Sequence, residues 1–268
     1  MITLDDNYRL EDFGLIAEIG HGNPITPKIE NKTIPIPGRA GLWDFGSEIK
    51  EKQISLPVAC VGEDRIILQQ NLNDFVAFLC DEYGKPRDMK VVFDYEPDKF
   101  YTAKLAGQLE PERIIHLGRF ALELVANDPY KYSRLYGDEV VWGSEEVTFQ
   151  WHYLLGHDGD GASSGFKFTS AKTINVDVYG LAVQPVFEIE GTANNLKVTC
   201  GKYSFTLSNF TNAKWVIDFE KYIVYKNGQE QLLEGINDFY LMPGSNAVKV
   251  TGNNLNIDMK IKFRDKYN

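Results

Sequence analysis

Apolar residues recur in two rhythms along this chain, and the rhythm changes near its middle. In the first half, Lys52-Gln53-Ile54-Ser55-Leu56-Pro57-Val58 alternates polar and apolar side chains at period two, as a strand with one wet face does, and Pro57 marks its end or an edge. From Arg65 to Tyr83 the spacing lengthens. Leu68, Leu72, Phe75 or Val76, and Leu79 recur every three or four residues, which aligns them on one helical stripe, and Gly84 and Pro86 then stop the helix. Val91 to Tyr95 and Phe100 to Leu105 are β-prone runs joined by Glu96-Pro97-Asp98-Lys99, which predicts a hairpin with a four-residue loop. Arg119 to Val125 supplies another strand, broken at Asp128-Pro129-Tyr130. Upstream, Glu11 to Ile19 reads as a strand. His21 to Pro37, with Pro24, Pro27, Pro35 and Pro37 and no periodicity, reads as an extended arm that reaches toward a partner.

The second half carries almost no helical period. Short β-prone runs, among them Val140 to Phe149, Thr173 to Val178, Pro185 to Glu190, Leu196 to Thr199, Trp215 to Phe219, Asp238 to Leu241, Ala247 to Thr251 and Leu255 to Phe263, are separated by turn residues such as Asn194-Asn195, Asn227-Gly228 and Pro243-Gly244. That punctuation predicts an antiparallel sandwich or jelly roll, and Asn227-Gly228 is its strongest hairpin signal, because a type I′ turn needs positive φ at both positions. The expected organisation is an α+β domain over residues 1–135, made of β-sheets with one helix and a β-hairpin, followed by an all-β sandwich over residues 136–268.

With 43% apolar and 25% charged residues the composition is that of an ordinary globular protein. No apolar run approaches the ~20 residues that span a bilayer, and the N-terminus lacks a basic segment followed by an apolar one, so neither a membrane anchor nor a secretion signal is expected. A formal net charge of −10 with scattered basic residues disfavours nucleic-acid binding. Cys60, Cys80 and Cys200 are far apart and in no CxxC pair, which points to buried thiols in a reducing compartment.

Candidate chemistry is sparse. His152 to Gly161 is the one place where His and Asp crowd together, but counted from Asp158 an EF-hand loop would have Ala162 at its fifth position and Thr169 at its twelfth, so a solvated loop is the expectation and no metal is assigned. No nucleophile elbow, zinc-protease helix or phosphate loop occurs in its required context, and Glu188 and Glu190 read as the wet face of a strand; no catalytic residue and no cofactor is assigned. Trp215, Tyr222 and Tyr225 are candidate sugar-stacking rings, although strands bury alternate residues and so direct many such rings inward. Arg39, Trp43 and Phe45 suit either a subunit contact or a local core, since Trp and Arg are enriched at interface centres and Trp is equally at home inside.

One ordered set of motifs goes further. Gly38 to Gly46 (GRAGLWDFG), then the strand-like run Glu48 to Val58, a helix ending in Phe75-Val76-Ala77-Phe78-Leu79, the apolar hairpin Val91 to Ala106, Phe120 to Ala126 ending in Asp128-Pro129-Tyr130, and a late Leu241-Met242-Pro243-Gly244-Ser245-Asn246 together resemble the distal tail (Dit) proteins of long-tailed phages and prophages of Gram-positive bacteria. The resemblance implies a tail-tube-like first domain that closes a homohexameric ring, a galectin-like second domain that projects outward, and a place at the virion tail tip after assembly in the host cytoplasm. Implied partners are further copies of the chain, the tail tube protein and the tail-tip protein, with a receptor-binding protein or a cell-wall saccharide as an additional one. Nothing in the resemblance is catalytic. The alternative reading is a carbohydrate-binding module for a host cell-wall saccharide.

Overall fold

A computed structural model describes residues 2–137, 139, 165–232 and 238–268. The chain forms two compact units, Met1–Lys131 with Asn268, and Tyr132–Tyr267. The expected strand at Val140 to Phe149 and the His152 to Gly161 loop lie outside the described residues.

The first unit contains β1 (Ile2–Leu4), β2 (Tyr8–Arg9), β3 (Leu15–Ala17), β4 (Ile29–Pro35), β5 (Leu42–Ile49), β6 (Lys52–Val61), α1 (Arg65–Leu79), β7 (Met89–Phe93), β8 (Glu96–Leu105), β9 (Glu112–Ile114) and β10 (Leu117–Ala126). Its main sheet runs β2-β1-β7-β8-β10-β6-β3, with β9 on β10. β6 and β10 pair over ten residues, from Leu117 opposite Val61 to Ala126 opposite Lys52, and each sends alternate residues inward: Ile54, Leu56, Val58 and Cys60 from one, Phe120, Leu122, Leu124 and Ala126 from the other. The expected stripe of α1 closes this core. Leu68, Leu72, Phe75 and Leu79 are buried while Val76 stays exposed. Each such side chain removed from water contributes about 1.5–3 kcal/mol. Asp64 starts the helix by accepting from the Ile66 and Ile67 amides at 2.7 and 2.8 Å, which satisfies two donors that have no intrahelical partner.

Three local expectations need correction in this unit. Glu11 to Ile19 is a 3₁₀ turn, Leu10–Phe13, followed by β3; Asp12 caps the turn through the Arg9 amide at 2.8 Å, and Gly14 ends it at φ 68°, a left-handed conformation that glycine adopts at little cost. Pro57 does not end β6, whose strand runs on to Val61. Its carbonyl accepts the Glu18 amide at 2.8 Å just where β3 stops, so the missing N–H faces the side on which the ladder is already ending. The β7–β8 reversal is made by Asp94-Tyr95, closed by Phe93 opposite Glu96, and residues 97–100 belong to β8 at a register shift opposite Val92.

The second unit contains β11 (Lys131–Ser133), β12 (Phe166–Phe168), β13 (Lys172–Val178), β14 (Val186–Cys200), β15 (Tyr203–Leu207), β16 (Phe210–Asp218), β17 (Ile223–Lys226), β18 (Gln229–Glu230), β19 (Gly244–Lys262) and β20 (Lys266–Tyr267). Two long strands organise it. β14 and β19 pair from Val186 opposite Lys262 to Cys200 opposite Val248, with register shifts between Thr192 and Lys197. On one side of that bend β14 is flanked by β16, on the other by β15, so one pair of strands passes through both layers of a sandwich. Phe187 of the first stretch meets Phe205 of β15 at 5.0 Å between ring centroids, and Phe219 and Phe239 complete an aromatic core. Gly191, at φ 136°, lets the strands approach: a Cβ there would stand 2.2 Å from the Asn256 carbonyl oxygen. Asn194-Asn195 therefore bends one strand rather than separating two. Asn227-Gly228 behaves as expected, with φ of 52° and 79° between β17 and β18.

A solvent-exposed hairpin as candidate assembly surface

The arm expected at His21 to Pro37 is half of a ribbon. β4 pairs antiparallel with β5 as a separate two-stranded sheet, with Ile29 opposite Ile49, Ile34 opposite Trp43 and Pro35 opposite Leu42. Gly38 and Gly41 turn its tip at φ 81° and 85°, and nothing lies near where their Cβ atoms would be, so the requirement is conformational. Neither face is covered. All seven residues of β4 are exposed, as are all of β5 except the half-buried Glu48. Among them are large apolar side chains, including Trp43 at 45% and Phe45 at 62% exposure, with Ile29, Ile34, Leu42 and Ile49. A core position for Trp43 and Phe45 is thereby excluded in the single chain.

Polar contacts hold the ribbon's shape. Glu48 pairs with Lys32 and, at 2.7 Å, with Lys50, whose ammonium also lies 3.4 Å from Glu30. The hydrogen bonds from Lys32 and Lys50 hold the Glu48 carboxyl down at about 2, and the hydrogen bonds to Glu48 and Glu30 raise the Lys50 ammonium, so the ladder stays charged across the ordinary pH range. Asp44 accepts from the Gly46 amide at 2.8 Å. Arg39 stacks over the Trp43 ring at 4.6 Å and, among the described residues, has no carboxylate partner. An isolated two-stranded hairpin is marginally stable in water, and apolar side chains exposed together on a ribbon mark a surface that another molecule covers.

The proposed sugar platform is not assembled. Trp215 is 5% exposed and packs on Phe210 in the core of the second unit, so its ring is closed to a ligand; this corrects its candidacy, and the cause is inward alternation along β16. Tyr225 pairs with Val216, one residue on from Trp215, and so lies on the opposite face. Tyr222 is 57% exposed at φ 55°, its hydroxyl donating to Asp238 at 2.6 Å and accepting from Gln184 at 3.1 Å. Among the described residues no cluster of three metal-ligating side chains occurs. The buried polar pair of the first unit is Lys52 with Tyr101, joined at 2.6 Å; burial brings the amine down to about 8 and pushes the phenol up. Sequence patterning missed this pair, since Lys52 looks like the polar start of a strand.

Residues 8–126 match the family model of the phage tail protein RIFT-related domain. The first unit is thereby similar to phage tail protein domains. The exposed hairpin lies within the matched span. Over the whole chain, the fold is similar to that of the Dit protein (gp 19.1) of phage SPP1, described as a paradigm of the hub adsorption apparatus in phages infecting Gram-positive bacteria: TM-score 0.70, 14% identity, covering 100% of this chain and 98% of that one. Chains of the phage P2 baseplate in its activated conformation, with calcium and with strontium, align over 97% and 96% of this chain at 13% identity, with TM-scores of 0.47 and 0.46. No curated protein matches in sequence. The chain is thus similar to phage tail and hub proteins, with a mostly β-sheet fold.

Proposed function

We propose that this chain is a distal tail protein: six copies close a ring through their tail-protein domains, and the ring joins the tail tube to the tail-tip protein at the end of the virion tail. The observation that carries the reading is the hairpin β4–β5, which offers Trp43, Phe45 and their apolar neighbours to solvent from within the matched tail domain. A heterologous contact of this kind, repeated with a closing rotation, generates a ring. In this reading Arg39, Trp43 and Phe45 are subunit-contact residues, the second unit is a galectin-like outrigger, and a receptor-binding protein or cell-wall saccharide is a further partner. The net charge of −10 fits a ring through which DNA passes without adhering.

Native mass spectrometry and negative-stain imaging of the purified chain, alone and with the tail-tip protein, test the reading. Six-fold particles with peripheral lobes are the expected result, and a monomer under every condition refutes it. A carbohydrate-binding module is the weaker alternative, because Trp215, the largest of the candidate rings, is buried.

A further inference from the structure

The first unit also holds an apolar groove large enough for a side chain of the hairpin. After β3 the chain leaves the edge of β6 at Glu18 and returns at Gly22, whose amide and carbonyl both bond Ser55 at 2.7 and 2.9 Å. The detour opens a groove of about 240 Å³ floored by Ile2, Leu10, Pro57 and Phe93 and walled by Ile19 and Tyr95. The wall is preformed: Tyr95 packs in one three-ring cluster with Phe93 and His21, ring centroids 5.0 and 5.8 Å away, and its hydroxyl accepts from the Asn23 side-chain amide at 2.9 Å. Ile19 is fully exposed at the lip. Two carboxylates, Glu18 and Asp94, line the opening; Arg119 Nε lies 2.9 Å from Glu18, so the rim keeps a net negative charge of one between these three groups. The volume is below the roughly 300–1,000 Å³ of small-molecule sites, a size that suits one or two inserted side chains.

We propose that this groove receives the hairpin tip of a second copy, with Trp43 seated against Phe93 and Tyr95 and Arg39 brought beside Glu18 and Asp94. Apolar lining and charge agree on the occupant. The tip carries a large exposed ring with a guanidinium stacked on it, and the groove is apolar with acidic walls. Trp and Arg are the residue types that dominate interface energetics when a pocket desolvates them. Donor and acceptor are different surfaces of the same domain, so each copy gives one hairpin and receives one, the arrangement that propagates head to tail and closes into a ring. The inference rests on the self-assembly reading and adds the identity of the receiving surface.

The test uses two full-length variants. One replaces the donor, Trp43→Ser with Phe45→Ser; the other blocks the acceptor with Ile19→Arg. All three side chains are exposed, so both variants are expected to melt with the wild type. Each alone is expected to remain monomeric by native mass spectrometry at concentrations where the wild type assembles. Mixed in equal amounts they are expected to give a one-to-one dimer and nothing larger, because only one intact donor meets one intact groove. If Ile19→Arg assembles as the wild type does while the donor variant does not, the hairpin docks elsewhere: the groove assignment falls and the ring reading stands. A mixture that stays monomeric also overturns the assignment. A wild type that never assembles overturns both.

Discussion

Asp265 provides the sharpest quantitative expectation. It lies between β19 and β20, 8% exposed, where its side chain accepts the Tyr179 amide at 2.8 Å and its backbone exchanges hydrogen bonds with Ser133, the amide giving to Oγ and the carbonyl taking from N–H, both at 3.0 Å. The neighbouring guanidinium of Arg264 is turned to the carbonyls of Ser133 and Arg134 and to the Tyr136 ring. Burial therefore dominates and raises the carboxyl from 3.8 to about 6, with the Tyr179 hydrogen bond pulling the other way. A raised pKa means that the folded chain binds more protons than the unfolded chain between roughly pH 4 and pH 6, so unfolding free energy falls as pH rises through that window and is flat above it. At about 1.4 kcal/mol per pH unit the penalty above pH 6 is on the order of 3 kcal/mol. Asp265→Asn keeps the acceptor for Tyr179 and removes the charge. Urea unfolding of the second unit is expected to show the variant more stable than wild type by roughly that amount at pH 7.5 and nearly equal to it at pH 4. Parallel pH profiles, or a variant less stable at pH 7.5, would refute the reasoning by showing that the carboxylate is solvated or paired.

Four further outcomes follow from positions already described. Gly191→Ala is expected to destabilise the second unit by about 3 kcal/mol or more in the same assay, since the left-handed φ and the 2.2 Å approach to Asn256 both have to yield. Phe75→Ala is expected to cost the first unit about 3–5 kcal/mol, and Asp64→Ala about 1 kcal/mol through loss of the helix cap, both read as shifts in urea midpoint. Trp43→Ala is expected to leave the unfolding free energy of the single chain within about 0.5 kcal/mol, because nearly half the ring is already in water, while assembly weakens by native mass spectrometry.

What the sequence made legible was whatever burial makes periodic. The α1 stripe, the alternation of β6 and β10, and the Asn227-Gly228 turn are local patterns with one dominant physical cause, and each stands where expected. The hairpin β4–β5 was half visible. GRAGLWDFG and the Pro-rich arm were both singled out, but a ribbon wet on both faces shows no alternation that would reveal their pairing. The separate runs at Pro185 to Glu190 and Leu196 to Thr199, and at Ala247 to Thr251 and Leu255 to Phe263, belong to single strands, β14 and β19; Asn194-Asn195 carries turn chemistry, and only the partner strand decides whether such residues reverse the chain or bend it. Trp215 was ambiguous for a related reason: a ring on a strand is half a core residue and half a platform until its neighbours fix the phase. The groove beside Ile19 leaves no trace in the sequence, since residues from five separate places along the chain form it.

The passage of β14 and β19 through both layers has a consequence for where the second unit can be cut or extended. A break at Asn227-Gly228 would touch the peripheral ribbon β17–β18 and the two hydrogen bonds of Asn227 to Lys214 of β16, so this is where foreign segments could be grafted while the sandwich persists. A break at Asn194-Asn195 or Gly252-Asn253 has the same loop-like composition, yet it would sever a strand that both layers share, and neither layer could keep its ladder without the other.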